Sequence, residues 1–192
     1  MGVDYSNVGI KNHNPKMLPF FKSGDIDFLL NSFKRTFDVI TMTNVLEHVL
    51  SPESIIEKCI KLLSRNGVLV ITVPNDFSYL QKKLLLENKI SQPFWVSPPE
   101  HLSYFTKESL TNLMEAYNLK ESYHIGDYPI DFELLVEESN YINHPDLGKV
   151  AHKKRIAVTN LMAEISIERL ARYYKSLGDM GFGRDITGFY TL

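Results

Sequence analysis

The stretch FDVITMTNVLEHVLSPESIIEKCIKLLSRNGVLVITVPN, Phe37 to Asn75, reads as strand, polar turn, capped helix, turn and strand. Phe37 to Asn44 carries apolar residues on both faces, the pattern of a strand buried between helices. Ser51, Pro52 and Glu53 supply an N-cap hydroxyl, a proline at the first helical position and a carboxylate in the first turn. Ile55, Ile56, Cys59, Ile60 and Leu63 recur at helical spacing as one apolar stripe. The pattern predicts a helix ending at Arg65-Asn66-Gly67, where glycine can turn left-handed. Val68 to Val73 is a β-branched run between Gly67 and Pro74 and reads as a second buried strand. Such a βαβ unit requires parallel strands and a right-handed crossover.

Working outward, ligands of open parallel sheets sit beyond the carboxyl ends of the strands. Here those ends are Thr43 to His48 and Pro74-Asn75-Asp76, both rich in groups that bind or move protons. Downstream, Leu80, Leu84 and Leu85 suggest a short helix, and Phe94-Trp95 with Pro98-Pro99 mark an ordered loop. Thr106 caps a helix to Asn118 with the stripe Leu110, Leu113, Met114 and Tyr117. Leu119 to Ile125 reads as a strand, and Gly183 to Tyr190 as the last one. Between them, Asp131 to Val136 reads as helical, and one long helix is expected from about Leu147 to Leu177.

The composition narrows the functional classes. At 192 residues, with 44% hydrophobic and 23% charged residues, the chain suits one globular domain. A net charge of −2 argues against a broad phosphate-binding surface, so nucleic acid is not an expected partner. The single cysteine, Cys59, lies on the apolar stripe and permits no disulfide framework, which fits a reducing, cytoplasmic setting. No apolar run approaches the ~20 residues of a membrane span.

FD-apolar-N-VLEHV, a helix, a glycine turn, an apolar strand and PN resemble the class I S-adenosylmethionine-dependent methyltransferases. The closest branch methylates quinones, sugars and similar metabolites. The resemblance covers roughly Gly2 to Asn118 and implies a Rossmann-like α/β fold: a parallel sheet with an antiparallel last strand and helices on both faces. Residues 1–192 are then one methyltransferase-like domain, with a partial cofactor-binding core in 1–125. A helical insertion on the substrate side follows in 126–180, and the last strand in 181–192. The cofactor implied is S-adenosylmethionine.

By that resemblance, Asp4 in Gly2-Val3-Asp4-Tyr5-Ser6 takes the ribose hydroxyls of the cofactor, and Asp25 and Ile26 meet the adenine. Asp27 is a near alternative to Asp25. Asn44 touches the methionine part. A second hallmark, PxHLxYFT, is matched by Pro99 to Thr106 and closes over the acceptor pocket in relatives. His48 and His101 are candidate bases for a hydroxyl acceptor, each also readable as a hydrogen-bonded structural residue. Glu47, Trp95 and Tyr104 are candidates for the substrate side, with core packing an equal reading for the aromatics. The basic cluster Lys149, His152, Lys153, Lys154 and Arg155 suits an anionic sugar precursor or a solvated helix face.

No GxGxG turn occurs in residues 1–192, although the family places one, after its first strand, ahead of Asp4. The resemblance therefore implies an N-terminal truncation that leaves the Phe37–Asn44 strand with an unpaired apolar edge. Two functions follow: methyl transfer to a small molecule such as a sugar or polysaccharide precursor, or a non-catalytic remnant that cannot bind cofactor alone. A nicotinamide oxidoreductase ranks last for want of a dinucleotide fingerprint.

Overall fold

The computed structural model describes residues 1–192. Its centre is the expected βαβ unit. β3 (Phe37–Thr43) and β4 (Leu63–Pro74) pair in parallel, with Val39 beside Val68 and Thr43 beside Thr72. β1 (Gly2–Asp4) and β2 (Phe21–Ser23) form a separate parallel pair. The crossover is α3 (Pro52–Leu62), whose first turn is held by Ser51 Oγ accepting from Ser54 N–H at 3.3 Å. β5 (Lys120–Gly126) and β6 (Asp185–Thr191) complete a sheet of order β3-β4-β6-β5, with β6 antiparallel to both its neighbours. The last strand is thus the antiparallel one, as expected.

β4 sets the core. Leu69, Ile71 and Val73 are fully buried on one face, while Val70 and Thr72 on the other are half-buried. Against the buried face pack Ile26 and Leu30 of α2 (Ile26–Asn31), Ile55, Ile56 and Cys59 of α3, and Leu110 and Met114 of α5 (Lys107–Ala116). Each such aliphatic side chain contributes about 1.5–3 kcal/mol by leaving water. Burial pushes the Cys59 thiol up to about 12, so it is a packing residue. α7 (Ile167–Asp179) lies against β5, so close that a Cβ on Gly178 would stand 2.8 Å from the Gly126 nitrogen. No helix is long and apolar enough to cross a membrane.

Three local expectations are corrected. β3 is not buried on both faces: only Met42 is buried, and Val39 is 58% exposed. It is the edge strand, and beside it lies a groove of about 280 Å³ lined by Val3, Leu30, Phe33, Phe37 and Leu62. The unpaired apolar edge is present; the second apolar face that periodicity suggested has nothing to pack on. Gly67 does not end α3, because the chain is already extended at Leu63 and Gly67 lies inside β4 without a positive φ. The long helix is two: α6 (Gly148–Ile165) stops at Ser166, whose extended backbone starts α7 and whose Oγ accepts from Arg169 N–H. Residues 130–135 are helical as expected, in the 3-10 form.

Candidate active site

Three strand ends meet at the carboxyl edge of the molecule. After β1, Asp4 Oδ1 accepts from Ser6 N–H at 3.0 Å, and the Asp4 carbonyl accepts from Gly24 N–H. After β2, Gly24 takes φ +149°, which only glycine adopts without strain, and turns the chain into α2. Asp25 caps that helix, its Oδ1 accepting from Phe28 N–H at 3.0 Å. Ile26 opens the helix, so its N–H has no intrahelical partner. After β3, Asn44 takes φ +52°, a left-handed turn that asparagine tolerates.

These residues border one cleft. A cavity of about 360 Å³ is lined by Asp4, Tyr5, Ile26, Asn44, Val45 and His48 among others. An adjoining one of about 300 Å³ shares Tyr5, Ile26 and His48 and adds Asp25. Each is of the size that holds small ligands, which begins near ~300 Å³. The structure therefore brings together all four residues expected at the cofactor, although half of the Asp25 carboxylate is occupied as a helix cap.

The VLEHV and PEHLSYFT segments meet through main-chain bonds. The Glu47 carbonyl accepts from Leu102 N–H at 2.7 Å and from Ser103 N–H at 3.2 Å. This docking sets the rings of His48 and His101 edge to face, with centroids 4.8 Å apart. His48 Nδ1 lies 2.7 Å from the Glu100 carbonyl, which can only accept, so Nδ1 carries the proton. His48 Nε2 then faces Glu47 Oε1 at 3.7 Å. Glu47 is 1% exposed, and neither carboxylate oxygen has a hydrogen-bond partner. Burial raises its pKa, a shift opposed by its own main chain and by His48.

Tyr104 holds this loop from within: its hydroxyl accepts from Ser97 N–H and donates to the His101 carbonyl. Trp95 is not an open wall of the pocket. It is 2% exposed and packs with Leu80, Leu84, Ile90 and Leu134, although its Nε1 has no partner. The exposed aromatic at this place is Phe77, which takes φ +55° and meets both Trp95 and Tyr104 edge to face.

A buried carboxylate and its arginine partner stand just after β4 and just before β6. Asp76 is fully buried, and its Oδ1 lies 3.5 Å from an Arg184 guanidinium nitrogen. Burial raises the Asp76 pKa against the pull of Arg184 and His101. Burial likewise raises Asp185, against Arg184. For Arg184 itself burial disfavours the charge, but Asp131, Asp76 and Asp185 outweigh it and raise its pKa. The Pro74-Asn75-Asp76 strand end pointed to Asp76; nothing in the sequence pointed to Arg184, which lies 108 residues away.

A model of the methyltransferase domain matches residues 1–121. The chain belongs to the methyltransferase-domain family. Its fold is similar to that of a SAM-dependent methyltransferase from Archaeoglobus fulgidus, with a TM-score of 0.57 and 14% identity, over 100% of this chain and 75% of that one. It also resembles the O-methyltransferase from the trans-AT PKS multienzyme of Brevibacillus brevis, solved with S-adenosyl-L-homocysteine. There the TM-score is 0.52 and the identity 14%, over 99% of this chain and 57% of that one. No curated protein matches the sequence. The family model ends at Glu121, so α6, α7 and β6 of this methyltransferase lie outside the matched region.

Proposed function

We propose that this methyltransferase binds S-adenosylmethionine in the cleft above β1, β2 and β3 and methylates a small-molecule acceptor of the sugar or polysaccharide-precursor class. What carries the reading is one cavity, of about 360 Å³, bordered by Asp4, Ile26, Asn44 and His48. The chemistry of these groups fits the adenosine half of the cofactor. The Asp4 carboxylate has an oxygen left over to accept from a ribose hydroxyl, and the Ile26 N–H is free to donate to a ring nitrogen. The bound cofactor supplies an electrophilic methyl carbon on a sulfonium.

The chain's own residues then align the acceptor and take its proton. Alignment is the larger part of an in-line displacement. His48 and His101, held edge to face by the Glu47 main chain, form the group that receives the hydroxyl proton. Phe77 and Tyr104 flank the place where an acceptor enters. The helical segment 126–180 gives the acceptor side, with a polar pocket of about 240 Å³ lined by Asp127, Tyr128, Arg155, Thr159 and Asn160. Carboxylate, guanidinium, hydroxyl and amide groups together suit a polyhydroxylated ligand bearing negative charge.

Calorimetric titration of the purified chain with S-adenosylhomocysteine tests the cofactor claim. Binding is expected, weakened at least about tenfold by Asp4→Ala, the loss of one or two charge-assisted hydrogen bonds. No binding by the folded chain, or equal binding by the variant, overturns it.

A further inference from the structure

We infer that Glu47, His48 and His101 form a binding site for one divalent transition-metal ion, zinc by the chemistry of the donors. The three groups come from two segments, VLEH after β3 and the PEH turn after α4 (Tyr79–Leu86), and one donor atom of each lies within 4.8 Å of the others. Donors about 2.1 Å from one ion at tetrahedral angles stand about 3.4 Å apart, so the side chains have only to close by rotamer adjustment. The main chain has already brought them together through the Leu102 and Ser103 bonds to the Glu47 carbonyl.

Glu47 supplies the strongest reason. Both its carboxylate oxygens are buried without a hydrogen-bond partner, and its only ion-pair contact is the His48 ring at 3.7 Å. No lysine or arginine reaches it, and Arg184 is engaged with Asp76. A buried carboxylate so placed needs either a proton or a cation. The histidines are prepared for the cation. His48 gives its Nδ1 proton to the Glu100 carbonyl, which leaves the Nε2 lone pair toward Glu47, as in metal-binding histidines steadied by a main-chain acceptor. His101 Nδ1 is buried and has no partner, so it too can offer a lone pair.

Two imidazole nitrogens and one carboxylate oxygen favour zinc over magnesium or calcium, which prefer all-oxygen shells. Three protein ligands leave at least one position open, the pattern of a catalytic rather than a structural zinc. His48 also lines the cavity proposed for the cofactor, so the ion would sit at its border. There an acceptor hydroxyl would occupy the open position, where the cation would make it more acidic and its proton would leave to solvent water. With the ion bound, this takes the place of proton transfer to His48 and His101, whose lone pairs the ion would hold. That catalytic use rests on the proposed methyl transfer; binding of the ion does not.

The test is titration of the chelator-treated chain with Zn²⁺ against a competing chelator, with no methyl donor present. One ion per chain is expected, with affinity reduced at least about tenfold in Glu47→Gln and in His101→Ala. Cobalt in place of zinc gives a second readout on the unaltered protein: visible absorption bands of a low-coordinate nitrogen-oxygen site are expected. Because the chain has six histidines, stray surface binding must be separated from this site. Absence of cobalt bands, or zinc affinity unchanged in folded Glu47→Gln, overturns the inference. Zinc binding without S-adenosylhomocysteine binding removes the proposed function and leaves the metal site; the reverse outcome removes only the metal site.

Discussion

Asp127 connects the segment after β5 to the sheet, and its protonation is predicted to set a measurable slope in stability. Its Oδ1 accepts from Arg184 N–H at 2.7 Å and from Asp185 N–H at 2.8 Å, which pins the start of β6 to the end of β5. Burial nonetheless pushes its pKa up from 3.8 to about 6, against those two bonds and the charge of Arg155. The folded state therefore holds this proton more tightly than the unfolded chain. Stability from the proton is full below about pH 3.8 and is lost as pH rises through about 6. At ~1.4 kcal/mol for each tenfold change in proton affinity, the whole effect is about 3 kcal/mol. Some ~2 kcal/mol of it falls between about pH 4.5 and about pH 7.5. Asp127→Asn keeps the accepting oxygen and removes the titration. Urea unfolding of both proteins at these two pH values should show the variant gaining ~2 kcal/mol relative to the parent at the higher pH. Taking the difference cancels Glu47 and Asp76, which titrate in both proteins. Equal pH slopes would refute the claim that burial outweighs the two main-chain donors.

Three further outcomes follow from packing. Gly126→Ala should cost about 3 kcal/mol in urea unfolding, because its Cβ would stand 2.0 Å from the Phe182 carbonyl oxygen, a main-chain atom that cannot swing away. Trp95→Ala should lose ~3–5 kcal/mol by emptying the cluster of Leu80, Leu84, Ile90 and Leu134; a loss below ~1 kcal/mol would mean the indole is a pocket wall after all. Val39→Lys on the exposed edge should leave the melting temperature within a degree or two while reducing self-association in light scattering, since a charge blunts edge pairing.

Local chemistry made much of this protein legible in its sequence. The caps at Ser51 and Thr106, the apolar stripe of α3 and the run from Val68 to Val73 each carry their meaning within a few residues. Asp4, Ile26 and Asn44 were reached through the family resemblance of the short stretches that carry them, and the fold sets all three along one cavity. The break at Ser166 was also local, in a serine followed by an acidic first turn, but continuous helical spacing on both sides masked it. Other features depended on what lies across the fold. Periodicity cannot tell an apolar edge from a buried strand, because exposure depends on the neighbour and not on the residue. Trp95 went to the core, and Phe77 to the surface, for the same reason. The meeting of Glu47 with His101, and of Asp76 with Arg184, joins segments more than fifty residues apart through main-chain bonds and burial. The sequence alone determined most of the elements and the family resemblance. Only tertiary packing decided which acids lose water and which cation answers them, because desolvation is a property of the surroundings.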